Sequence, residues 1–225
     1  MYTTIGYSND TGSWILGRVT ETEVRQGSTL KSLVQYGYGN NNLTTKTTWR
    51  SATEAYTTTM AYDAVGNLVE ITNPQGRVTS NTFDSAYKAF VTRITNPAGQ
   101  SKQFTYDNRG LVKTEVDRNN NTVSTDYDVF GRVVKVTKPG NSVTNMSYVS
   151  YGSPTAQYKQ TQIAIGSQTM TSKAYFDGQG HVYKTTRTGD QGELIVLKNR
   201  DAAGRAYQTS LPYYSGETVR WATIL

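Results

Sequence analysis

The stretch FTYDNRGLVKTEV (Phe104–Val116) contains a pattern that recurs along this chain. An aromatic residue, Asp, two variable residues and Gly also follow one another in MAYDAVGNLVEIT (60–72), STDYDVFGRVVKVT (124–137) and AYFDGQGHVYKTT (174–186). An Asp carboxylate can accept N–H groups two residues further on, and Gly can adopt φ > 0 after a type I turn. The pattern therefore predicts one type of hairpin turn, used several times.

The turn motifs are spaced almost evenly. Asp107 and Asp128 are 21 residues apart, and a degenerate copy, Phe83-Asp84, lies 21 residues after the first motif. The residues that the pattern assigns to these turns, as structural positions, are Tyr62, Asp63, Gly66, Phe83, Asp84, Tyr106, Asp107, Gly110, Tyr127, Asp128, Gly131, Phe176, Asp177, Gly180, Asp201 and Gly204. Such a fixed period is typical of a repeat architecture.

A second turn signal lies about halfway along each unit. It is Asn-Pro-x-Gly at 73–76 (Pro74, Gly76) and at 96–99 (Pro97, Gly99), and DRNN and KPGN occupy the same place at 117–120 and 138–141. Pro presets φ at the first turn position and Gly closes the turn. A unit of 21 residues with two turns of about four residues leaves two strands of six or seven residues, which is close to the usual strand length.

The segments between the turns have a strand-like pattern. The position two residues after each Gly is apolar, and the position four residues after it is polar; the apolar set is Leu68, Val112, Val133, Val182 and Ala206. No window keeps a helical apolar stripe, so helix should be scarce. We expect an all-β chain of tandem hairpins whose neighbouring units pair into one curved, spiralling antiparallel sheet, because a lone hairpin of such weakly apolar strands is not stable.

The regularity of the motifs divides the chain into four segments. Residues 1–61 are interpreted as diverged hairpins of the same sheet, and 62–147 carry the regular repeats. Residues 148–173 form a diverged hairpin or linker, and 174–225 carry further repeats that stop without a further turn. Because an open sheet edge is a liability in a complete protein, this chain is expected to be a piece of a longer one.

The composition limits the classes of function. Of the 225 residues, 36% are apolar and 17 are Tyr, and the absence of Cys excludes disulfides, thiolate metal sites and cysteine nucleophiles. The 23 Lys and Arg are scattered singly and form no basic block, which argues against nucleic-acid binding. No run of 18 apolar residues and no signal-peptide pattern occurs in this segment, so neither a membrane span nor a signal peptide is expected in it.

Candidate catalytic and ligand-binding groups are few. The single His, His181, occupies a slot that holds Asn67, Leu111, Arg132 and Arg205 in the sister repeats, so we interpret that slot as a solvated surface position. One Asp per unit does not supply the converging oxygen ligands of a calcium site. We therefore expect no catalytic residue, no metal and no cofactor, and the protein is not expected to be an enzyme. Tyr-rich strand faces can stack on sugars, which keeps carbohydrate binding open.

The motifs AYDAVGN, TYDNRG, DYDVFGR and YFDGQGH resemble the YD repeat of the Rhs family, and NRDAAGR is a weaker match. The stretches NDTGSWILGRVTETEV and 176–221 are similar to the Rhs-repeat B components of bacterial ABC toxin complexes. The resemblance implies a hollow shell, made by a long spiralling sheet, that encloses a toxic polypeptide until delivery. It also implies that the self-cleaving core and the variable toxin domain of such proteins would lie beyond this segment.

Two hypotheses of function remain at this point. The first is a non-enzymatic section of the shell of a secreted bacterial toxin, with the rest of the shell, the enclosed toxin domain and other toxin-complex subunits as partners. The alternative is an extracellular or cell-wall-associated carbohydrate-binding or adhesion module. Under both hypotheses the protein acts outside the cell, as part of a larger polypeptide.

Overall fold

The computed structural model describes residues 1–224, and their regular structure is almost entirely β. The strands are β1 (Tyr2–Asp10), β2 (Ile15–Gln26), β3 (Thr29–Gly39), β4 (Asn42–Trp49), β5 (Ala55–Tyr62), β6 (Leu68–Thr72), β7 (Val78–Phe83), β8 (Val91–Thr95), β9 (Ser101–Tyr106), β10 (Val112–Val116), β11 (Thr122–Tyr127), β12 (Val133–Lys138), β13 (Ser142–Val149), β14 (Tyr158–Ile165), β15 (Gln168–Phe176), β16 (Val182–Gly189), β17 (Gly192–Arg200), β18 (Ala206–Ser210), β19 (Tyr213–Tyr214) and β20 (Trp221–Thr223). One 3₁₀ turn at Pro139–Asn141 is the sole helical element in the described part.

The described chain forms two compact units. The first consists of Met1–Gly110 and Glu115–Asn120, and the second of Leu111–Thr114 and the residues from Asn121 onward, so β10 contributes to both. In the first unit β1 to β9 form a meander, in which each strand pairs antiparallel with the next one along the chain. Short connections make this the simplest way to pair successive strands.

The second unit continues the same connectivity up to β17. Strands β11 to β17 pair antiparallel with their sequence neighbours. The two halves of β17 then take different partners: Lys198–Arg200 pair with β18, and Leu194 and Ile195 pair with β19. Strand β20 pairs with β18 on its other side. The prediction of an all-β chain of tandem antiparallel hairpins is confirmed.

The side chains of the strands are half-buried. Among residues 1–224 no apolar side chain is fully buried, and the buried residues are Thr186 and Ser210, each 3% exposed. A sheet packed against a second layer normally buries one apolar face completely. Each unit is therefore held mainly by its ladder of backbone hydrogen bonds and by cross-strand contacts between side chains.

The alternation of the two strand faces is interrupted directly after the Asp-containing turns. Tyr62 pairs with Leu68 but Ala61 pairs with Glu70, so one extra residue stands between the two pairs. The same shift occurs between β7 and β8, β11 and β12, β15 and β16, and β17 and β18. This β-bulge places the apolar position and the polar position two residues later on opposite faces, although a regular strand would put both on one face.

Candidate functional site

The Asp carboxylate of each repeat organises its own turn. In the turn at 128–132, Oδ1 of Asp128 accepts the backbone N–H groups of Phe130 and Arg132, both at 2.9 Å. The N–H of Gly131 donates to the backbone carbonyl of Asp128 at 3.0 Å, as in a type I turn. The carboxylates of Asp63, Asp177 and Asp201 accept the equivalent pairs of N–H groups at 2.9–3.0 Å.

The Gly residues of these turns adopt a conformation that other residues rarely take. Their φ angles are +93° at Gly66, +81° at Gly110, +79° at Gly131, +85° at Gly180 and +78° at Gly204. A side chain at such a φ is strained by contact with its own backbone. The repeated Gly is thus explained by the backbone of the turn.

The turn that follows Phe83 has no Gly and is longer than the others. The carboxylate of Asp84 accepts the N–H groups of Tyr87 at 2.6 Å, Ala89 at 3.0 Å and Phe90 at 2.9 Å. Lys88 provides the left-handed position, with φ of +53°. The N–H groups of Phe90 and Tyr87 lower the pKa of Asp84 to about 2, because they stabilise the charged carboxylate.

The other turn carboxylates are shifted in the same direction. The pKa of Asp177 is lowered mainly by the N–H of His181, and that of Asp201 by the N–H of Arg205. For Asp63 and Asp128, desolvation raises the pKa, but the N–H bonds from the turn outweigh it and the net pKa is lowered. These Asp residues are therefore ionised at neutral pH and already engaged by donors of their own turn.

The turns at the other end of each unit use Asn in the same place. Oδ1 of Asn73 accepts the N–H groups of Gln75 at 3.0 Å and Arg77 at 2.9 Å, and Asn96 does the same with Ala98 and Gln100. Gly76 and Gly99 have φ of +72° and +78°. In the DRNN turn Asn120 takes the left-handed position with φ of +63°, which Asn tolerates better than most residues.

The Tyr of each of these repeats donates a hydrogen bond to the preceding repeat. The hydroxyl of Tyr106 donates to the backbone carbonyl of Val91 at 2.7 Å, that of Tyr127 to Val112 at 2.9 Å, and that of Tyr148 to Val133 at 3.2 Å. Each acceptor lies 15 residues upstream and begins a strand of the preceding hairpin. Sequence reasoning missed this bond and placed Tyr148 in the diverged segment, although its 21-residue distance from Tyr127 is a signal for it.

The repeat that contains Phe83 has no hydroxyl at this position. Its preceding hairpin opens at Leu68, and the carbonyl of Leu68 accepts a hydrogen bond from the side-chain amide of Asn81 at 3.0 Å. Asn81 lies two residues before Phe83, on the same strand and therefore on the same face. The amide of Asn81 thus satisfies the carbonyl that a Tyr hydroxyl satisfies in the sister repeats.

At several Asp-containing turns, the residue that follows the turn contacts the Asp-containing turn of the next repeat. A Cβ at Gly110 would lie 2.7 Å from the ring of Phe90, one at Gly131 would lie 3.4 Å from Leu111, and one at Gly204 would lie 3.0 Å from Cε1 of His181. His181 is half-buried, with Nδ1 3.4 Å from Oδ2 of Asp177. The interpretation of this slot as solvated is therefore wrong for His181, whose ring packs on the next turn, whereas Arg205 in the same slot is 80% exposed.

Arg132 occupies that slot in a different way. Its guanidinium is 2.7 Å from Oδ2 of Asp128 and lies 4.3 Å from the ring centroid of Tyr148, 5.0 Å from that of Tyr151 and 5.1 Å from that of Phe130. Stacking of a guanidinium on aromatic faces is favourable and adds to the ion pair. Arg132 therefore joins its own turn to strand β13 and to the turn that follows β13.

Residues 1–224 contain neither a cluster of metal ligands nor a membrane-spanning helix. No group of three or more His, Cys, Asp or Glu lies close enough to hold a metal ion. No helix of the described chain is long and apolar enough to cross a membrane.

The comparisons with known proteins agree with this geometry. The family model described as "Teneurin YD-shell" matches residues 17–209. The chain belongs to the teneurin YD-shell family. No curated protein matches this chain.

One solved structure of a toxin complex shares the fold of this chain, and a second toxin-complex structure matches it more weakly. A crystal structure of TcdB2-TccC3 without its hypervariable C-terminal region matches 98% of this chain and 14% of that chain, with 12% identity and a TM-score of 0.58. The Tc holotoxin pore of Photorhabdus luminescens, with a TccC3-D651A mutation, matches 97% of this chain and 17% of that chain, with 11% identity and a TM-score of 0.43. The chain thus spans less than a fifth of the solved chains that it resembles, and the likeness to the first is one of fold.

Proposed function

We propose that this chain is a non-enzymatic section of an Rhs/YD-repeat shell that encloses a toxic polypeptide, delivered by a secreted bacterial toxin. The observation that carries the proposal is the set of contacts between units: Tyr hydroxyls reach the preceding hairpin and, at several Asp-containing turns, the following residue packs on the next turn. Such contacts let a sheet grow unit by unit without a central core. The YD-shell match and the fold shared with TcdB2-TccC3 support the same conclusion.

The turn residues, in this proposal, shape the wall and neither bind nor react. Their carboxylates are already bound to backbone N–H groups, which supports a structural role. The turns between strands leave large apolar side chains exposed, for example Trp14 at 89% and Phe130 at 79%. Exposed apolar surface of this kind is expected to be covered by partners, which would be the rest of the curved, spiralling shell, the enclosed toxin domain and other toxin-complex subunits.

Protease protection of the native protein tests the proposal. The polypeptide that carries this chain would be isolated from its source with an antibody against residues 1–225 and treated with protease before and after mild disruption. Encapsulation predicts a polypeptide segment that resists digestion in the native particle and is digested once the sheet is opened. Equal digestion before and after disruption, or recovery of no further polypeptide, would contradict the shell.

The alternative, an extracellular carbohydrate-binding module, is favoured by one observation. Several Tyr rings remain exposed, including Tyr87 at 73% and Tyr7 at 59%. The Tyr of the repeats are less suited to this role, because their hydroxyls are bound to backbone carbonyls. A glycan array separates the two functions: saturable, micromolar binding of one defined sugar that is lost in Tyr87→Ala would favour the module over the shell.

A further inference from the structure

A groove of about 610 Å³ lies on one face of strands β14 to β17, entirely within the second unit. The register brings two rows of side chains together on this face. Lys159, Ala174, Thr185 and Val196 form one row, and Thr161, Ser172, Arg187 and Leu194 form the next. Pro212, which stands between β18 and β19, also borders the groove.

The floor and the walls of the groove differ in chemistry. Ala174, Ser172 and Thr185 are small, so the floor is low and offers hydroxyl groups. Leu194 and Val196 form an apolar wall on β17. A volume in the range of ligand sites, with mixed apolar and hydroxyl lining, is typical of binding clefts.

The ionisable side chains that border this groove are all basic: Lys159, Lys173 and Arg187. Lys173 lies between Ser172 and Ala174, so strand alternation directs its side chain to the opposite face, where Nζ is 2.7 Å from Oε1 of Glu193. Within the described residues Lys159 and Arg187 take part in no ion pair. Two cations without counter-ions therefore face one groove.

The spacing of these two cations fits an extended chain. Lys159 and Arg187 are two strands and two residues apart, which corresponds to about 12 Å between their Cα atoms. In an extended peptide, side chains four residues apart point to the same side and are separated by about 13 Å. Two carboxylates at that spacing can meet both cations, while apolar side chains of the peptide lie against Leu194 and Val196.

We propose that this groove binds an extended acidic peptide segment with interspersed apolar side chains. The inference rests on the proposed function, since the natural occupant would be a segment of the polypeptide that the shell encloses. Charge complementarity favours this occupant: two cations without a carboxylate partner, and no carboxylate, line the groove. Nζ of Lys159 lies 5.9 Å from the ring centroid of Tyr148, a weaker contact than the charge-assisted hydrogen bond that a peptide carboxylate would offer.

Binding of a synthetic probe tests the groove directly. The probe is a fluorescein-labelled pentapeptide, Glu-Ser-Leu-Ser-Glu, whose two Glu and one Leu share one face when the peptide is extended. It is titrated with the 225-residue chain in a fluorescence-anisotropy experiment at low and high salt. We expect saturable binding that weakens at high salt and disappears when Gln replaces Glu in the probe. Lys159→Gln and Arg187→Gln should each weaken binding about tenfold, as expected for loss of one charge-assisted contact.

A matched control separates the groove from the net positive charge of the chain. Lys135→Gln combined with Lys138→Gln removes the same charge as Lys159→Gln combined with Arg187→Gln, but outside the groove, and should leave the affinity unchanged. All four side chains project from strands without filling a core, so circular dichroism should show both double variants folded.

The remaining outcomes overturn the proposal. These are no saturable binding, equal loss of affinity in both double variants, or tighter binding of a single-stranded oligonucleotide than of the peptide at the same salt concentration. The test is independent of the shell test: protease protection without probe binding would reject the groove alone, and probe binding without protection would reject the shell alone.

Discussion

The two ends of each hairpin unit use the same turn chemistry but differ in what they contact. At the Asn end, Asn73 and Asn96 accept backbone N–H groups of their own turns, and the pairing of the flanking strands has no register shift. A Cβ at Gly76 or Gly99 would meet nothing within 4 Å. At the Asp end a bulge follows the turn, and the neighbouring unit lies against Gly110. The difference indicates that the Asn end only reverses the chain, whereas the Asp end also joins one unit to the next.

The largest effect is expected from Gly→Val substitutions at the two ends. Val at Gly99 brings the strain of a β-branched residue at φ of +78°, about 1–3 kcal/mol. Val at Gly110 brings the same strain and also collides with Phe90, which adds about 1–3 kcal/mol for overpacking. Urea unfolding should therefore show the greater loss of stability for Gly110→Val, and equal losses would remove the distinction between the ends.

A smaller effect is expected from the Tyr hydroxyl. Tyr127→Phe removes the hydrogen bond to the carbonyl of Val112 and should lower the free energy of unfolding by about 1 kcal/mol. Asn81→Ala should have a similar cost, because it leaves the carbonyl of Leu68 without its side-chain donor. Tyr7→Phe, on a ring that is 59% exposed, is the matched control, and an equal loss there would show that the bond to Val112 contributes nothing.

The two ends should also differ in their response to acid. The pKa of Asp84 is lowered to about 2 in the folded chain, against an ordinary value of about 3.9 in the unfolded chain. A lowered folded pKa contributes stability that is present above the unfolded pKa and is lost as the pH falls towards 2. Asp84 titrates between about pH 5 and about pH 2, and the melting temperature of the native chain should fall over this range. In Asp84→Asn this fall should be smaller.

The converse substitution sharpens the acid comparison. Asn96→Asp places a titratable carboxylate at the Asn end, where it would accept the N–H groups of Ala98 and Gln100. This variant should gain acid sensitivity over the same pH range. An unchanged melting profile in both variants would indicate that these side chains do not stabilise the turns as carboxylates.

Removal of metal ions is expected to have no effect on stability. The turn carboxylates are engaged by backbone N–H groups, and no cluster of metal ligands occurs in the described chain. Excess EDTA, followed by calcium, should leave the melting temperature unchanged. If EDTA lowered the melting temperature and calcium restored it, the Asp carboxylates would bind calcium and the explanation by backbone N–H groups would be wrong.

The sequence determined the local structure because turn chemistry acts over four or five residues. Asp-x-x-Gly and Asn-Pro-x-Gly carry both the hydrogen-bonding side chain and the residue that tolerates φ > 0, so the all-β fold of tandem hairpins could be predicted from them. The recurring Tyr-Asp-x-x-Gly motifs, in units of about 21 residues, also resembled the YD repeat, and the match over residues 17–209 shows the YD-shell family.

Only the tertiary structure decided which residues join the units. Whether the side chain after a turn is solvated or packed depends on the position of the next turn, so His181 and Leu111 have no local signal for their contacts. The bulge after Leu68 depends on the register with the partner strand, and it puts Leu68 and Glu70 on opposite faces although they are two residues apart. Local preferences are encoded within a few residues, whereas register and contacts across 15–20 residues arise only when the strands pair.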